Sequence, residues 1–201
     1  SSKASPDASL SSSFDAGKYA RFFEHPWLNG AARRFLFEER RIDERVARWC
    51  RLTSWTDRKG VNWLQIPYFD MEGKLIGIQN RNLDYKKNQK MLVDAPRFRF
   101  PYGARCSIYN LPVVKMLKPA MLSAGHKAIA IPSATLLKPE DKKWLAEIGE
   151  KLHTEWHMFP DRDAPGESLF LQLKEILPQL VHHQLPPECK DFSEYYLKEK
   201  K

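Results

Sequence analysis

The chain has 201 residues, 42% of them hydrophobic, and a formal net charge of +8, enough for one large domain or two small ones with a real core. No apolar run approaches the ~20 residues of a membrane span, and no charged-then-apolar start suggests a signal peptide. Three well-separated cysteines, Cys50, Cys106 and Cys189, argue against a disulfide framework, the lack of C-x-x-C argues against a zinc ribbon, and a reducing cytoplasm is the expected setting.

The charge is unevenly placed. Residues 79–105 carry seven Lys/Arg against two acids, and residues 152–196 carry three basic residues against eight acidic ones. A basic stripe beside an acidic patch suits a protein that holds a polyanion and also metal cations. The plain alternative is a solvated basic loop.

In chain order, residues 1–13, "SSKASPDASLSSS", read as a flexible tail. Residues 14–52 read as short helices. Phe14, Tyr19, Phe22, Phe23 and Leu28 are spaced loosely like one face, Asn29 and Asp43 are plausible N-caps, and Val46, Trp49 and Cys50 fall at i, i+3, i+4. Arg33, Arg34, Arg40 and Arg41 read as solvated helix faces more than as phosphate contacts. "VNWLQIPYFD" and "KLIGIQNRNLD", flanking Met-Glu-Gly, predict a β-hairpin, with Pro67 marking an edge or a bulge.

Residues 84–105 form a basic connection. In "RFRF", strand alternation would put Arg97 and Arg99 on one face and Phe98 and Phe100 on the other. For these rings and Tyr102, core packing is favoured over stacking on bases. "CSIYNLPVV" is a candidate for another short element. From about residue 120 the pattern becomes α/β. A helix end at Gly125, a strand "KAIAIP", a helix "KPEDKKWLAEIGEKL", a strand "HTEWHMFP", a helix "GESLFLQLKEIL" and a last strand near "HHQLPP" predict a parallel sheet.

Asp161 and Asp163 in "FPDRDAPGESLF" fall at the carboxyl end of a predicted strand, where open parallel sheets bind ligands. Two carboxylates there suit magnesium, which takes a few carboxylates, water and substrate phosphates. The same residues could simply cap the next helix. His182-His183 reads as two rings pointing apart. Packing suits His153 and His157 better than catalysis, and Asp191 is a minor candidate near the aspartates.

"FPDRDAPG" resembles the D-x-D-x-x-G motif of the Toprim domain, shared by bacterial-type (DnaG-like) primases, topoisomerases and some nucleases. "IPYFDMEGKLIGIQNRNLD", "PRFRFPYGARCSIYNL", "RRFLFEERRIDERVARWCRL" and "AIAIPSATLL" resemble successive segments of the primase catalytic core. The resemblance covers roughly residues 14–197 and is nearest to primase-like proteins of phages and mobile elements.

The resemblance implies an α+β fold. A helical and β-hairpin subdomain over 14–112 would be followed by an α/β Toprim domain over 113–197 and a tail over 198–201. It implies synthesis of short RNA primers on single-stranded DNA from nucleoside triphosphates. Asp161 and Asp163 would bind Mg²⁺ or Mn²⁺. Arg81, and beside it Lys90, Arg97 and Arg99, would line the groove for template or nucleotide phosphates. No zinc is expected in this stretch, and a monomer working with a replicative helicase is the implied setting. In the Toprim pattern a Glu-Gly pair closes the first strand, but here Pro119 runs directly into Ala120 without one. Glu167 is not assigned that role. A Toprim nuclease and a non-catalytic nucleic-acid-binding module are the alternatives.

Overall fold

The computed structural model describes residues 13–112, 128–133, 135, 137–153 and 155–199. The expected tail over 1–13 and the helix end at Gly125 therefore lie almost wholly outside the described residues, as does the Pro119–Ala120 junction.

Helix α1 spans Ala16–Glu24, with Asp15 accepting the Lys18 N–H as its cap. It buries Phe23 and leaves Phe22 41% exposed, so only one ring of that pair reaches the core. Asn29 caps α2 (Gly30–Arg33) by accepting from the Ala32 N–H. The helix then widens into a π-helical stretch over Arg34–Glu39, closed by the Arg40 N–H to the Phe35 carbonyl at 3.0 Å. Asp43 caps α3 (Glu44–Trp49), and an Arg45 side chain bonded to it depresses its carboxyl to about 2. The expected apolar face of α3 is corrected: Ala47 is its buried residue, while Val46 and Trp49 are 41% and 42% exposed. Ala47 packs with Ala32, Leu36 and Leu64, and the two larger side chains stay partly exposed beside it.

Strands β1 (Thr53–Thr56), β2 (Asn62–Phe69), β3 (Leu75–Asn82) and β4 (Phe98–Arg99) form an antiparallel sheet in chain order. The hairpin is present as the alternation predicts. β1 pairs only with residues Asn62–Gln65 of β2, so Pro67 lies beyond its end, and a bulge follows at Tyr68/Phe69. Both faces of β2 are covered. Leu64 packs against Ala32, Leu36 and Ala47, and Trp63 packs with Val61 and Ala95 on the other side. Complete burial of a side chain such as Leu64 is worth roughly 1.5–3 kcal/mol. A Cβ on Gly77 would meet the Arg105 backbone and the Cys106 Sγ, each at 2.8 Å, so this position must be glycine for residues 104–106 to cross β3.

Helix α4 (Tyr85–Lys90) leads to β4. The expected single face for Arg97 and Arg99 is not formed. Arg99 lies over the Trp63 ring at 4.5 Å, whereas Arg97 lies against Phe98 at 5.4 Å, on the side of Arg81. β4 is only two residues long, so strand alternation does not extend back to Arg97. The core-packing expectation for the rings also fails for Phe100 and Tyr102, which are 47% and 80% exposed.

The second layer contains α5 (Pro139–Leu152), β5 (Trp156–Met158), α6 (Ala164–Ile176), β6 (Leu180–His182) and α7 (Phe192–Glu199). β5 and β6 pair in parallel, His157 opposite Val181. Leu145 of α5 and Leu169, Leu173 and Leu177 on or beside α6 pack with Leu180 and Ile108 as one core. Within "KAIAIP", residues 128–131 make one antiparallel bridge, Tyr109 to Ala130, in place of the expected parallel strand. α7 continues to Glu199, through the first two residues of the expected tail. The architecture is α+β, as the sequence predicts. Among the described residues no helix is long and apolar enough to cross a membrane.

Candidate metal and nucleic-acid site

The loop from β5 to α6 carries the two aspartates. Asp163 is extended (φ −149°) and caps α6, its Oδ1 accepting the Gly166 N–H at 2.8 Å. Its own N–H donates to the Asp161 carbonyl at 2.9 Å. The backbone of Asp161 lies so close to Gly166 that a Cβ there would collide with the Asp161 carbonyl oxygen. The loop is clamped from the far side as well. The Arg162 N–H donates to the Lys190 carbonyl at 2.7 Å, and Arg162 Nη1 donates to the Leu185 carbonyl at 2.9 Å.

Lys190 introduces α7. Asp191 Oδ1 accepts the Glu194 N–H at 2.9 Å, and Glu194 Oε2 accepts the Lys190 N–H at 2.8 Å. Asp163 and Asp191 thus cap two different helices, and both carboxylates act on Asp161. Desolvation raises the Asp161 carboxyl above its ordinary value, the charges of Asp163 and Asp191 raise it further, and Lys190 opposes them. A carboxylate raised in this way is stabilised by a bound cation.

Carboxylate oxygens are the donor type that magnesium and manganese take, with water and phosphate commonly completing the shell. The donor set does not fit a closed all-protein cage. Among the described residues no group of three or more His, Cys, Asp or Glu is arranged to hold a metal ion. Glu167 is engaged elsewhere, its carboxylate lying 3.1 Å from His182 Nε2. His183 instead faces His157 at 2.8 Å, so the two adjacent histidines do point apart.

The cationic residues belong to the N-terminal half of the chain. Arg81 on β3 is half-buried, its guanidinium 4.8 Å from the Phe35 ring and 5.8 Å from Phe98. Desolvation lowers its pKa, the charges of Arg40 and Arg97 lower it further, and Glu39 opposes them. Arg81 and Arg40 share the Phe35 ring, and Arg81 and Arg97 share the Phe98 ring, so three guanidiniums lie against two aromatic rings with Glu39 nearby. Arg40 also donates to Ser193 Oγ at 2.9 Å, two positions beyond Asp191. Phe192 packs edge-on against Phe159 at 5.1 Å, two positions before Asp161. The Arg40–Ser193 bond ties the end of the π-helical stretch to the start of α7, and the Phe192–Phe159 contact ties that start to the loop that carries Asp161.

Of the expected groove residues, Arg81 and Arg97 come together, Arg99 lies on the opposite sheet face, and Lys90 stands exposed at the end of α4. Arg40 was expected on a solvated face, and the structure instead builds it into the cluster. The Asp-x-x-Glu spacing of Asp191 and Glu194 was the available cue to the α7 cap. No local signal marks Arg40 among its neighbouring arginines.

A scan against protein-family models finds no match, and no curated protein matches the chain. Solved structures do. The chain is similar to the Aquifex aeolicus primase structure comprising zinc-binding and RNA polymerase domains, at 16% identity and a TM-score of 0.57, covering 85% of this chain and 53% of that one. It is also similar to the primase fragment of the bacteriophage T7 primase-helicase protein, at 14% identity and a TM-score of 0.53, covering 81% of this chain and 68% of that one. The chain spans about half the length of the Aquifex structure. At these identities the likeness defines a primase-like fold.

Proposed function

We propose that the chain is the catalytic core of a primase that makes short RNA primers on single-stranded DNA by metal-dependent nucleotidyl transfer. A primase-like fold supports this reading, and one observation carries it. The Arg40 guanidinium, which shares the Phe35 ring with Arg81, bonds Ser193 at the start of α7, two positions beyond Asp191, one of the carboxylates that act on Asp161. Residues 14–112 supply the cations, and residues 113–197, read as a Toprim domain, supply the acids.

In this reading a 3′-hydroxyl attacks the α-phosphate of a nucleoside triphosphate and pyrophosphate leaves. Asp161 and Asp163 would hold Mg²⁺ or Mn²⁺, and that ion would supply positive charge against the charge developing on the phosphates. Arg81 and Arg97 hold template or nucleotide phosphates, and Lys90 and Arg99 extend the positive surface. Phosphate contacts of this kind make binding fall steeply with salt. The core acts as a monomer in the cytoplasm of a phage- or mobile-element-carrying host, alongside a replicative helicase.

A second reading, a non-catalytic nucleic-acid-binding module, is favoured by the capping duty of Asp163 and the lack of a Glu-Gly pair at Pro119–Ala120. A primer-synthesis assay on single-stranded DNA with Mg²⁺ or Mn²⁺ separates the readings. Labelled RNA that disappears in Asp161→Ala is the expected result. Shortened substrate would instead indicate a Toprim nuclease. Binding indifferent to metal and to Asp161→Ala would leave the binding module.

A further inference from the structure

The sheet face opposite Arg81 carries a second grouping of rings and cations, of which only Arg99 enters the proposed function. Trp55 on β1 pairs across the sheet with Trp63 on β2. Trp63 is fully buried, whereas Trp55 is 43% exposed. Arg99 reaches over from β4, its guanidinium 4.5 Å from the Trp63 ring.

The turn between β1 and β2 is Asp57-Arg58-Lys59-Gly60, and Asp57 fixes its shape. Asp57 Oδ1 accepts the N–H groups of Lys59 and Val61 at 2.9 and 3.0 Å, and Oδ2 accepts Trp63 Nε1 at 3.0 Å. Gly60 closes the turn at φ 78°. Arg58 and Lys59 are left exposed on a rigid support.

Trp55, Asp57, Arg58, Lys59 and Arg99 line an open pocket of ≈ 310 Å³. Three of these side chains are cationic. The single acid is committed to the turn and to Arg99, 3.8 Å away. Although burial alone would raise the Asp57 carboxyl, the bonds from Trp63, Val61 and Lys59 hold it below its ordinary value. It therefore remains an anchor for the turn at neutral pH.

An exposed indole beside three cations matches the chemistry of a nucleotide strand, which offers a base to stack and phosphates to pair. An acidic peptide would use the cations and leave the ring without a role. We propose that this pocket is a second contact point for single-stranded nucleic acid, with one base stacked on Trp55 and the flanking phosphates on Arg58 and Lys59. This rests on the reading of the chain as a nucleic-acid-binding protein, and it adds a site on the face away from Arg81.

The test is fluorescence anisotropy on the full chain with labelled oligothymidylate and oligouridylate of about 16 nucleotides, the upper size of such sites. Trp55→Ala is expected to weaken binding about 5- to 150-fold, the range one stacked base represents. Trp55→Phe, which keeps a ring, should stay within a few-fold of the parent chain and guards against misfolding as the explanation. Replacing both Arg58 and Lys59 by Ala should lower the slope of log affinity against log salt by about 1.4, two single-strand phosphate contacts. If these variants bind as the parent does and only Arg81→Ala weakens binding, the second site is overturned while the proposed function stands. If the parent binds neither strand, both fall. If polyglutamate competes as well as an oligonucleotide, the assignment to nucleic acid is overturned.

Discussion

Asp161 and Asp163 are only two residues apart but present different experimental problems. Removing the Asp163 carboxylate also removes the α6 cap, at a cost of about 1 kcal/mol, so an inactive Asp163→Ala would mix folding with chemistry. Asp161 caps nothing and carries the electrostatic penalty of its surroundings. Its folded-state pKa lies above the unfolded value of 3.8. The folded chain therefore binds more protons across that window, and this contribution to stability falls as pH rises through it. Asp161→Asn keeps the shape and removes the charge. It should raise the melting temperature at neutral pH, and the gain should shrink as the pH approaches 3.8. Circular dichroism melting curves at several pH values check the direction. Mg²⁺ should raise the melting temperature of the parent chain and not that of Asp161→Asn, a response that burial alone would not produce.

At the scale of elements, the D-x-D-x-x-G pattern was legible as a spacing, but its physical reason was not. The glycine is needed because the backbone of Asp161 folds over the first turn of α6. Gly166→Ala should therefore displace the loop that presents Asp161, destabilise the fold by about 1–3 kcal/mol, and lower the melting temperature by about 2–4 °C per kcal/mol. Gly17→Ala is the matched control. Its nearest neighbour would be Asp15 Oδ1 at 3.5 Å, and alanine is favoured over glycine within a helix by about 1 kcal/mol. A melting temperature that rises in Gly17→Ala and falls in Gly166→Ala checks both. The helices, the hairpin and the caps at Asn29 and Asp43 could be read from the sequence because their causes lie within a few residues. The two faces taken by Arg97 and Arg99 could not, because the length of β4 decides them. Nor could Arg40, which is turned by an Arg40-to-Phe35 bond that skips a normal helical register.

At the scale of the whole molecule, the α+β character was legible from the switch between hairpin and α/β patterns. The joining of the two halves was not, since it depends on contacts such as Arg40 to Ser193, 153 residues apart. That bond makes a specific claim about the site. If the guanidinium and carboxylate clusters serve one bound nucleoside triphosphate, their contributions to its affinity cannot be independent. Residues sharing a ligand or a network couple by about 0.5–3 kcal/mol, whereas distant sites add to within about 0.5 kcal/mol. A double-mutant cycle of Arg40→Met and Asp161→Asn, read as nucleoside triphosphate affinity by calorimetry in the presence of Mg²⁺, distinguishes these cases. The expected result is a loss in the double variant clearly different from the sum of the two single losses. Repeating the cycle without Mg²⁺ should reduce the coupling, because Asp161 reaches the phosphates only through a cation while Arg40 needs none. Simple additivity under both conditions would mean that the two clusters are neighbours that bind separate ligands.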